Sequence, residues 1–221
     1  MRLLGKLILL MVAACANTAL AQVAQGPAYL NSSLQNLNSI TQPAVGPAGQ
    51  SNLAASDFVS VDGRTGASFT GARVASFPLV GAQLNLNRGN VEFWYRPNYD
   101  AGAGAEKNIL TIGAYNGAPR IVIQSGAVFA LKLVLPGTIG WRNLYVESAW
   151  QQRVWRANQW VHIRAIWDNT NASDSVQLYL NGARIGASRR WMNDWSINHN
   201  QIPTASRRIF VGAANGSGVG S

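Results

Sequence analysis

Short stretches in which apolar and other residues alternate recur along this chain from about residue 57 onward. Between residues 91 and 96, for example, Val91, Phe93 and Tyr95 occupy every second position. Successive side chains of a β-strand point to opposite faces of the sheet, so each such run predicts a strand with one face in a core. The predicted strands are residues 67–69, 74–77, 84–87, 91–96, 109–112, 120–124, 129–135, 144–147, 160–167, 176–180, 183–185 and 209–211. Many short strands at close spacing predict an all-β fold, namely an antiparallel two-sheet β-sandwich.

The strongest turn signal lies between two of these runs, at Asn181-Gly182. A two-residue type I′ turn requires positive φ at both central positions, which Asn and Gly adopt most easily. Residues 176–180 and 183–185 are therefore predicted to form a β-hairpin.

Residues 22–56 differ from the rest, because they are rich in Gln, Asn, Ser, Ala, Pro and Gly and show no sustained period. This composition predicts a flexible or loosely docked, mostly irregular N-terminal segment. Leu30, Leu34, Leu37 and Ile40 recur at helix-like spacing, so a short helix is one alternative there.

Residues 1–21 have the organisation of a secretory signal peptide. Arg2 and Lys6 precede an apolar run at 7–14, and Ala19-Leu20-Ala21 offers small residues where a signal peptidase cleaves. The apolar run is too short to span a bilayer. The sequence predicts cleavage after Ala21, no transmembrane segment in the mature chain, and export to the periplasm, the exterior or the cell surface.

Cys15 is the only cysteine in the chain. Its context, Val12-Ala13-Ala14-Cys15, resembles a bacterial lipobox, in which the cysteine is lipidated and becomes the first residue. This is the alternative to cleavage after Ala21, and it predicts a membrane-anchored lipoprotein instead of a released protein.

Three segments in this order, Gly89–Pro97, Trp160–Asp168 and Val176–Gly182 followed by Arg208–Gly212, resemble the concanavalin A-like lectin/glucanase superfamily, in particular its laminin G-like jelly-roll domains. The resemblance implies a jelly-roll sandwich over residues 57–221. It also implies one further strand after residue 212, where this chain is glycine-rich. The alternatives are a C-terminally truncated sequence, or a last strand replaced by the N-terminal segment or by another chain.

The sequence offers no closely spaced pair of carboxylates on one predicted strand. A retaining glycosidase needs two carboxylates about 5 Å apart, and the glucanases of this superfamily place theirs close together on one strand. Here Glu92 and Glu147 each stand alone on a predicted strand. An enzyme of the glycoside hydrolase or polysaccharide lyase type is consequently the least favoured function, and it would require Glu92 and Glu147 to meet in space.

Asp168 and Asp174 flank an oxygen-rich loop that could hold a weak Ca²⁺ site. The alternative is a turn whose Asp and Asn side chains cap their own backbone. No other cofactor or metal is predicted, since no His/Cys cluster has the spacing of a transition-metal site.

The feature that most suggests a ligand is the concentration of Trp and Arg between residues 141 and 195, which holds seven of the eight Trp. Without Arg2 and Lys6, 16 basic residues stand against 9 acidic ones, and 14 of the 16 are Arg. Aromatic faces stack on sugars, and Arg binds carboxylate or sulfate through two hydrogen bonds. The candidate ligand-binding residues are Trp141, Trp150, Arg153, Trp155, Arg156, Arg189, Arg190, Trp191 and Trp195. The competing interpretation is that these Trp pack the loops onto the sheet.

Two functions follow from these observations. The first is an exported, non-catalytic module that binds a glycan or other acidic surface polymer, or acts in cell-surface adhesion. The second is a structural or assembly subunit, whose partners are copies of itself or a cell-surface protein. Nucleic acid is not an expected partner, because the chain carries an export signal and no nucleic-acid-binding motif.

Overall fold

The protein consists of two antiparallel β-sheets packed face to face. A computed structural model describes residues 8–10, 30, 32–70, 72–79, 87–102, 106–113, 120–134, 144–150, 152–168, 175–186, 189–190 and 207–212. Fifteen strands and one short α-helix lie in these ranges. The strands are β1 Ile8–Leu10, β2 Gln50–Ser51, β3 Phe58–Val61, β4 Arg64–Ser68, β5 Ala75–Pro78, β6 Arg88–Arg96, β7 Lys107–Gly113, β8 Arg120–Ser125, β9 Phe129–Val134, β10 Leu144–Glu147, β11 Val161–Asp168, β12 Val176–Leu180, β13 Ala183–Ile185, β14 Arg189–Arg190 and β15 Arg208–Val211. The helix α1 spans Leu37–Thr41, and a 3₁₀ turn spans Ala55–Asp57.

The seven-stranded sheet has the order β13-β12-β11-β6-β1-β4-β3, and the eight-stranded sheet has the order β14-β10-β9-β8-β7-β15-β5-β2. Every described pair of neighbouring strands is antiparallel. This arrangement confirms the predicted all-β, antiparallel two-sheet sandwich.

The core lies between the sheets and is built from the alternating apolar positions. On β11, Val161, Ile163 and Ala165 are buried, whereas His162 and Arg164 are only half-buried. One continuous apolar cluster joins these residues to side chains of the other sheet. Burial of such stripes from both sheets supplies the main favourable free energy of the fold.

The outer face of the eight-stranded sheet is buried as well. Val122, Lys132 and Tyr145 are register partners across β8, β9 and β10 on the face opposite the core, and each is at most 5% exposed. The Oγ1 of Thr111 and the Nε2 of Gln124 are buried there without a hydrogen-bond partner. At these positions the outer face of the eight-stranded sheet is therefore more deeply buried than the outer face of the seven-stranded sheet, where His162 and Arg164 are half-buried.

The predicted strands overlap observed strands where the structure describes them, and residues 84–86 of the predicted strand 84–87 lie outside the described residues. The predicted hairpin is present, with φ of 50° at Asn181 and 80° at Gly182 between β12 and β13. A second two-residue hairpin joins β3 to β4 through Asp62 (φ 53°) and Gly63 (φ 75°). Asp-Gly is a sequence signal of the same kind, so this hairpin too was predictable.

Within the segment 22–56, the described residues are attached more firmly than the sequence indicates. Leu34, Ile40 and Leu53 are buried in the main core. The helix suggested by the leucine spacing is only the five residues of α1, which Asn36 caps through a hydrogen bond from Ser39 N to its Oδ1 at 2.8 Å.

The position of β1 was not predicted. Its residues belong to the apolar run assigned to the signal peptide, yet β1 lies between β4 and β6 and pairs with both. Ile8, Leu9 and Leu10 are opposite Arg96, Tyr95 and Trp94 respectively. The signal peptide stays a prediction.

Among the residues that the structure describes, no helix has the length and apolar character needed to cross a membrane.

Candidate functional site

The best-defined part of the predicted site is the loop that leads from β10 in one sheet to β11 in the other. Its beginning is anchored on β9, because Ser148 N donates to Phe129 O at 2.9 Å and Phe129 N donates to Ser148 Oγ at 3.1 Å. A turn follows, in which Gln152 N donates to Ala149 O at 3.0 Å and Ala149 N donates to Gln152 Oε1 at 3.0 Å. Trp150 lies at the tip of this turn.

Trp155 anchors the middle of the loop in the core and is only 3% exposed. Its ring meets the rings of Phe129 and Tyr95 edge-on, at centroid distances of 4.8 and 5.8 Å. Its Nε1 donates to Tyr99 O at 3.2 Å. Trp155 was a candidate ligand-binding residue, and the structure corrects this assignment: its faces are covered by protein, so a ligand has no access to them.

Trp150 has the opposite environment, since 71% of it is exposed. Arg153 and Arg156 follow at three-residue intervals, and each side chain is 61% exposed. Both approach Asp100 Oδ2 through Nη1, at 3.8 and 3.6 Å, while Asp100 Oδ1 accepts a 2.8 Å hydrogen bond from Ala157 N. We call Trp150, Arg153, Arg156 and Asp100 the Trp150 surface. It combines an open aromatic face with two guanidinium groups and one carboxylate.

The remaining candidates are placed only in part. Arg189 and Arg190 form β14, whose backbone pairs with Tyr145 and Leu144 of β10. Among the described strands, β14 is therefore the edge strand beside the strand that leads to Trp150. Trp141, Trp191 and Trp195 lie outside the described residues.

A second group of aromatic and charged residues lies on the outer face of the seven-stranded sheet and was not predicted as a site. The guanidinium of Arg64 lies 3.9 Å from the centroid of the Trp94 ring, and the Trp94 and His162 rings are 5.0 Å apart. His162 Nε2 lies 2.9 Å from Glu92 Oε1, and Arg164 Nε lies 4.0 Å from Glu92 Oε2. We call Arg64, Glu92, Trp94, His162 and Arg164 the Trp94 cluster. Its sequence signal is the alternation of the strands, which places all five residues at non-core positions.

The Trp94 ring already has its contacts within the protein. The ring of Trp94 already carries Arg64, and Trp160, which borders the cluster, donates from Nε1 to Val61 O at 3.2 Å. Cation–π stacking of this kind stabilises a surface. It also leaves Trp94 less available to a ligand than Trp150 is.

The two isolated glutamates do not meet. Glu92 lies on the outer face of the seven-stranded sheet, where its register partner is Arg164. Glu147 is on β10 of the other sheet, opposite Ala130 and on the face away from the core residue Val146. The core separates these carboxylates, so they cannot form the closely spaced pair that a retaining glycosidase requires.

The calcium prediction gains no support from the described residues. Asp168 is largely buried, and its Oδ2 pairs with Arg88 Nε at 3.1 Å. Asp174 lies outside the described residues. Within the part of the chain that the structure describes, no group of three or more His, Cys, Asp or Glu side chains is arranged to hold a metal.

A chain of three hydroxyl groups links Tyr95, Tyr99 and Ser125. The Tyr95 and Tyr99 hydroxyls are 2.7 Å apart, and Tyr99 Oη lies 2.6 Å from Ser125 Oγ. Burial, and then proximity to Tyr99, raises the pKa of Tyr95 well above the ordinary value of 10.0. Burial also raises the pKa of Tyr99. Both phenols are therefore held neutral in the folded protein.

These pKa shifts predict a loss of stability in alkali. The unfolded state ionises both phenols near pH 10.0, the ordinary value, whereas the folded state keeps them protonated. The stabilisation is fully present below that pH and is lost as pH rises beyond it. Urea unfolding from about pH 9 to about pH 12 is expected to show a smaller fall in the variant Tyr95→Phe/Tyr99→Phe than in the parent. Equal slopes for the two proteins would contradict this assignment.

Comparison with known proteins assigns no family to the chain. No protein-family model matches it, and no curated protein matches it. Among solved structures, it is similar to the native heptameric SAP-like pentraxin from Limulus polyphemus, at 14% sequence identity and a TM-score of 0.35. The match covers 58% of this chain and 53% of that chain, so it spans about half the length of the pentraxin. The fold class accordingly rests on the strand order and register, and membership of the concanavalin A-like superfamily stays a prediction.

Proposed function

We propose that this protein is an exported, non-catalytic binding module for an acidic polysaccharide, and that the Trp150 surface is part of its ligand site. The observation that carries the proposal is the exposed ring of Trp150, at 71%, followed three and six residues later in the same loop by two exposed arginines that share one carboxylate.

The exposure of the Trp150 ring costs free energy in the unliganded protein. A tryptophan ring presents a large apolar surface to water, and its burial by a ligand is favourable. A sugar ring offers a flat C–H face of matching size. Trp150 stands on a turn fixed by backbone and side-chain hydrogen bonds, so little conformational entropy is lost when a sugar stacks on it.

Arg153 and Arg156 supply the positive charge of the Trp150 surface. Their contacts to Asp100 are 3.6 and 3.8 Å long, and both side chains are mostly exposed. Exposed ion pairs of this kind contribute only about 0–1 kcal/mol each. A uronate or sulfate group can therefore replace water around these guanidinium groups, and Arg binds such groups through two parallel hydrogen bonds.

The test is affinity electrophoresis and calorimetry of the exported protein with uronate-rich, sulfated and neutral polysaccharides. The variant Trp150→Ala is expected to bind the acidic ligands about tenfold more weakly, because it removes the stacking surface. Its thermal unfolding should be unchanged, since surface substitutions usually alter stability by less than about 0.5 kcal/mol. The double variant Arg153→Gln/Arg156→Gln should bind acidic ligands more weakly and with less dependence on salt.

Val45→Ala is the matched control, because Val45 is also an exposed apolar residue, at 42%, and lies outside the Trp150 surface. Retention of a neutral glycan alone would remove the acidic specificity from the proposal. Failure of the folded protein to bind any glycan, or unchanged binding by Trp150→Ala, would refute it.

A second candidate function is a structural or assembly subunit of a surface or extracellular structure. The location of β1 favours it, because a strand from the predicted leader occupies the interior of a sheet.

A further inference from the structure

The seven-stranded sheet contains a position that β1 fills. β1 is antiparallel to both β4 and β6, so those two strands run in the same direction with β1 between them. Without β1, the sheet divides into the four strands β13-β12-β11-β6 and the hairpin β4-β3. The facing edges of β4 and β6 then carry unpaired backbone N–H and C=O groups, which are a template for another strand.

Export is expected to empty this position. Cleavage after Ala21 removes Ile8–Leu10, and so does lipoprotein processing in front of Cys15. Both alternatives for the leader thus lead to a mature chain without β1.

We call the position between β4 and β6 the slot. The register shows which kind of side chain the core-facing side of the slot requires. The middle position of β1, held by Leu9, is opposite both Ala67 and Tyr95. Those two residues are 0% and 1% exposed and belong to the main core. Directly opposed residues share a face of the sheet, so a strand in this slot needs an apolar residue at this position.

The outer side of the slot has a different requirement. The preceding position, held by Ile8, is opposite both Arg96 and the buried Ser68. The Nε of Arg96 is buried without a hydrogen-bond partner, and its nearest carboxylate, Asp62 Oδ2, lies 3.8 Å away. Asp or Glu at that position would pair with the guanidinium.

We propose that, in the exported protein, the slot between β4 and β6 binds an extended segment of a second, different protein. The segment runs antiparallel to both strands, with a carboxylate beside Arg96 and an apolar residue immediately after it, between Ala67 and Tyr95. The inference goes beyond glycan binding and takes export of the chain as its premise.

A different protein is favoured over a second copy by the use this chain makes of its own residues. The chain has four acidic–apolar pairs; Asp57-Phe58, Glu92-Phe93 and Asp100-Ala101 are already part of the 3₁₀ turn, the strands or the Trp150 surface, and Asp194-Trp195 lies outside the described residues. A copy that donated one of the first three segments would have to dismantle its own sheet or loop. A strand added from a separate protein needs no such exchange.

The experiment uses protein exported from the full-length gene. Intact mass and N-terminal sequencing establish whether residues 8–10 are present. Fluorescence anisotropy then measures binding of three labelled peptides to the exported protein: the sequence of residues 6–12, its Ile8→Glu version and its Leu9→Asp version. A polypeptide that co-purifies is released by denaturant and identified by mass before the peptides are added.

We expect the exported chain to lack residues 8–10 and to bind the residue 6–12 peptide. The Ile8→Glu peptide should bind roughly tenfold more tightly through its carboxylate, and the Leu9→Asp peptide should bind at least tenfold more weakly because it buries a charge. The protein variant Arg96→Gln should abolish the advantage of the Ile8→Glu peptide and leave the parent peptide unaffected.

Several results would overturn the proposal: retention of residues 8–10 after export, an exported chain that takes up no peptide, no gain from Ile8→Glu, or a co-purified strand that belongs to a second copy of this chain. A co-purified segment of a different protein would support it. None of these readouts involves a glycan, so the result is independent of the glycan-binding test.

The unexported full-length chain provides a second test that does not need the mature protein to refold. There the strand is present in cis, so Leu9→Asp should lower the urea midpoint of unfolding and Ile8→Glu should raise it. General damage to the fold would lower the stability of both variants. Stability shifts of opposite sign at neighbouring positions would therefore reflect the two positions themselves. Shifts of the same sign, or none, would contradict the assigned register.

Discussion

Replacing Trp155 with Ala is expected to lower the free energy of unfolding by about 3–5 kcal/mol, because it removes a large buried side chain and leaves a cavity. The indole is 3% exposed and joins the loop between β10 and β11 to the core. It also contributes three edge-to-face aromatic contacts, with centroid distances of 4.8, 5.8 and 6.2 Å. Its Nε1 hydrogen bond to Tyr99 O adds about 1 kcal/mol and holds the loop that carries Asp100.

Urea unfolding followed by circular dichroism measures this loss. Trp155→Phe keeps part of the ring contacts but not the hydrogen bond, so its stability should lie between those of the parent and Trp155→Ala. Trp150→Ala is the matched control, because the same residue type is removed from an exposed position in the same loop. A loss below about 1 kcal/mol for Trp155→Ala would mean that the loop is not anchored by this ring.

The second large effect is expected at Gly212, which follows β15. Its φ is +82°, and a Cβ at this position would lie 2.7 Å from Phe69 Cδ1. Gly212→Ala therefore meets two obstacles: a backbone conformation that L-residues adopt at a cost of about 1–2 kcal/mol, and overpacking against a buried ring, which costs about 1–3 kcal/mol. The expected loss is about 2–5 kcal/mol.

Two other glycines separate these contributions. Gly63 has φ +75°, and a Cβ there would meet nothing within 4 Å, so Gly63→Ala measures the backbone cost alone. At Gly89 a Cβ would lie 2.6 Å from Trp167 Cζ2 without a positive φ, so Gly89→Ala measures the overpacking alone. The loss at Gly212 should approach the sum of the two. A Gly212→Ala variant no less stable than Gly63→Ala would show that Phe69 moves away freely.

Most of the fold was predictable because the strands alternate in the sequence. β12 and β13 were predicted to the residue, and the buried stripe of β11 was predicted from Val161, Ile163 and Ala165. Local signals suffice where one face of a strand is buried and the other is solvated.

The sequence failed where burial depends on distant parts of the chain. All six residues of β8 are buried, including Arg120 and Gln124, and no local pattern indicates that the outer face of a sheet is covered. Ile8–Leu10 is part of an apolar run without alternation, so nothing in it distinguishes a strand from a leader.

The candidate site, too, was predictable only where local sequence patterns suffice. Trp150 and Trp155 are the same residue type in the same loop, five positions apart, and the sequence assigned both to the ligand. Only the tertiary contacts with Tyr95, Tyr99 and Phe129 separate the anchor from the exposed ring. The approach of Arg153 and Arg156 to Asp100 is a contact between two loops. It therefore also depends on the tertiary structure.

The pairing of β5 with β15 has a consequence for how the protein is made. Arg208 donates from Nε to Ser76 Oγ at 3.0 Å across a separation of 132 residues, and β15 lies between β5 and β7 in the sheet. On the ribosome, β5 and β7 emerge long before the strand that must enter between them, so these two strands cannot be joined until Arg208–Val211 has been made. Pairings this distant in sequence slow folding, and they keep this part of the eight-stranded sheet open until β15 emerges.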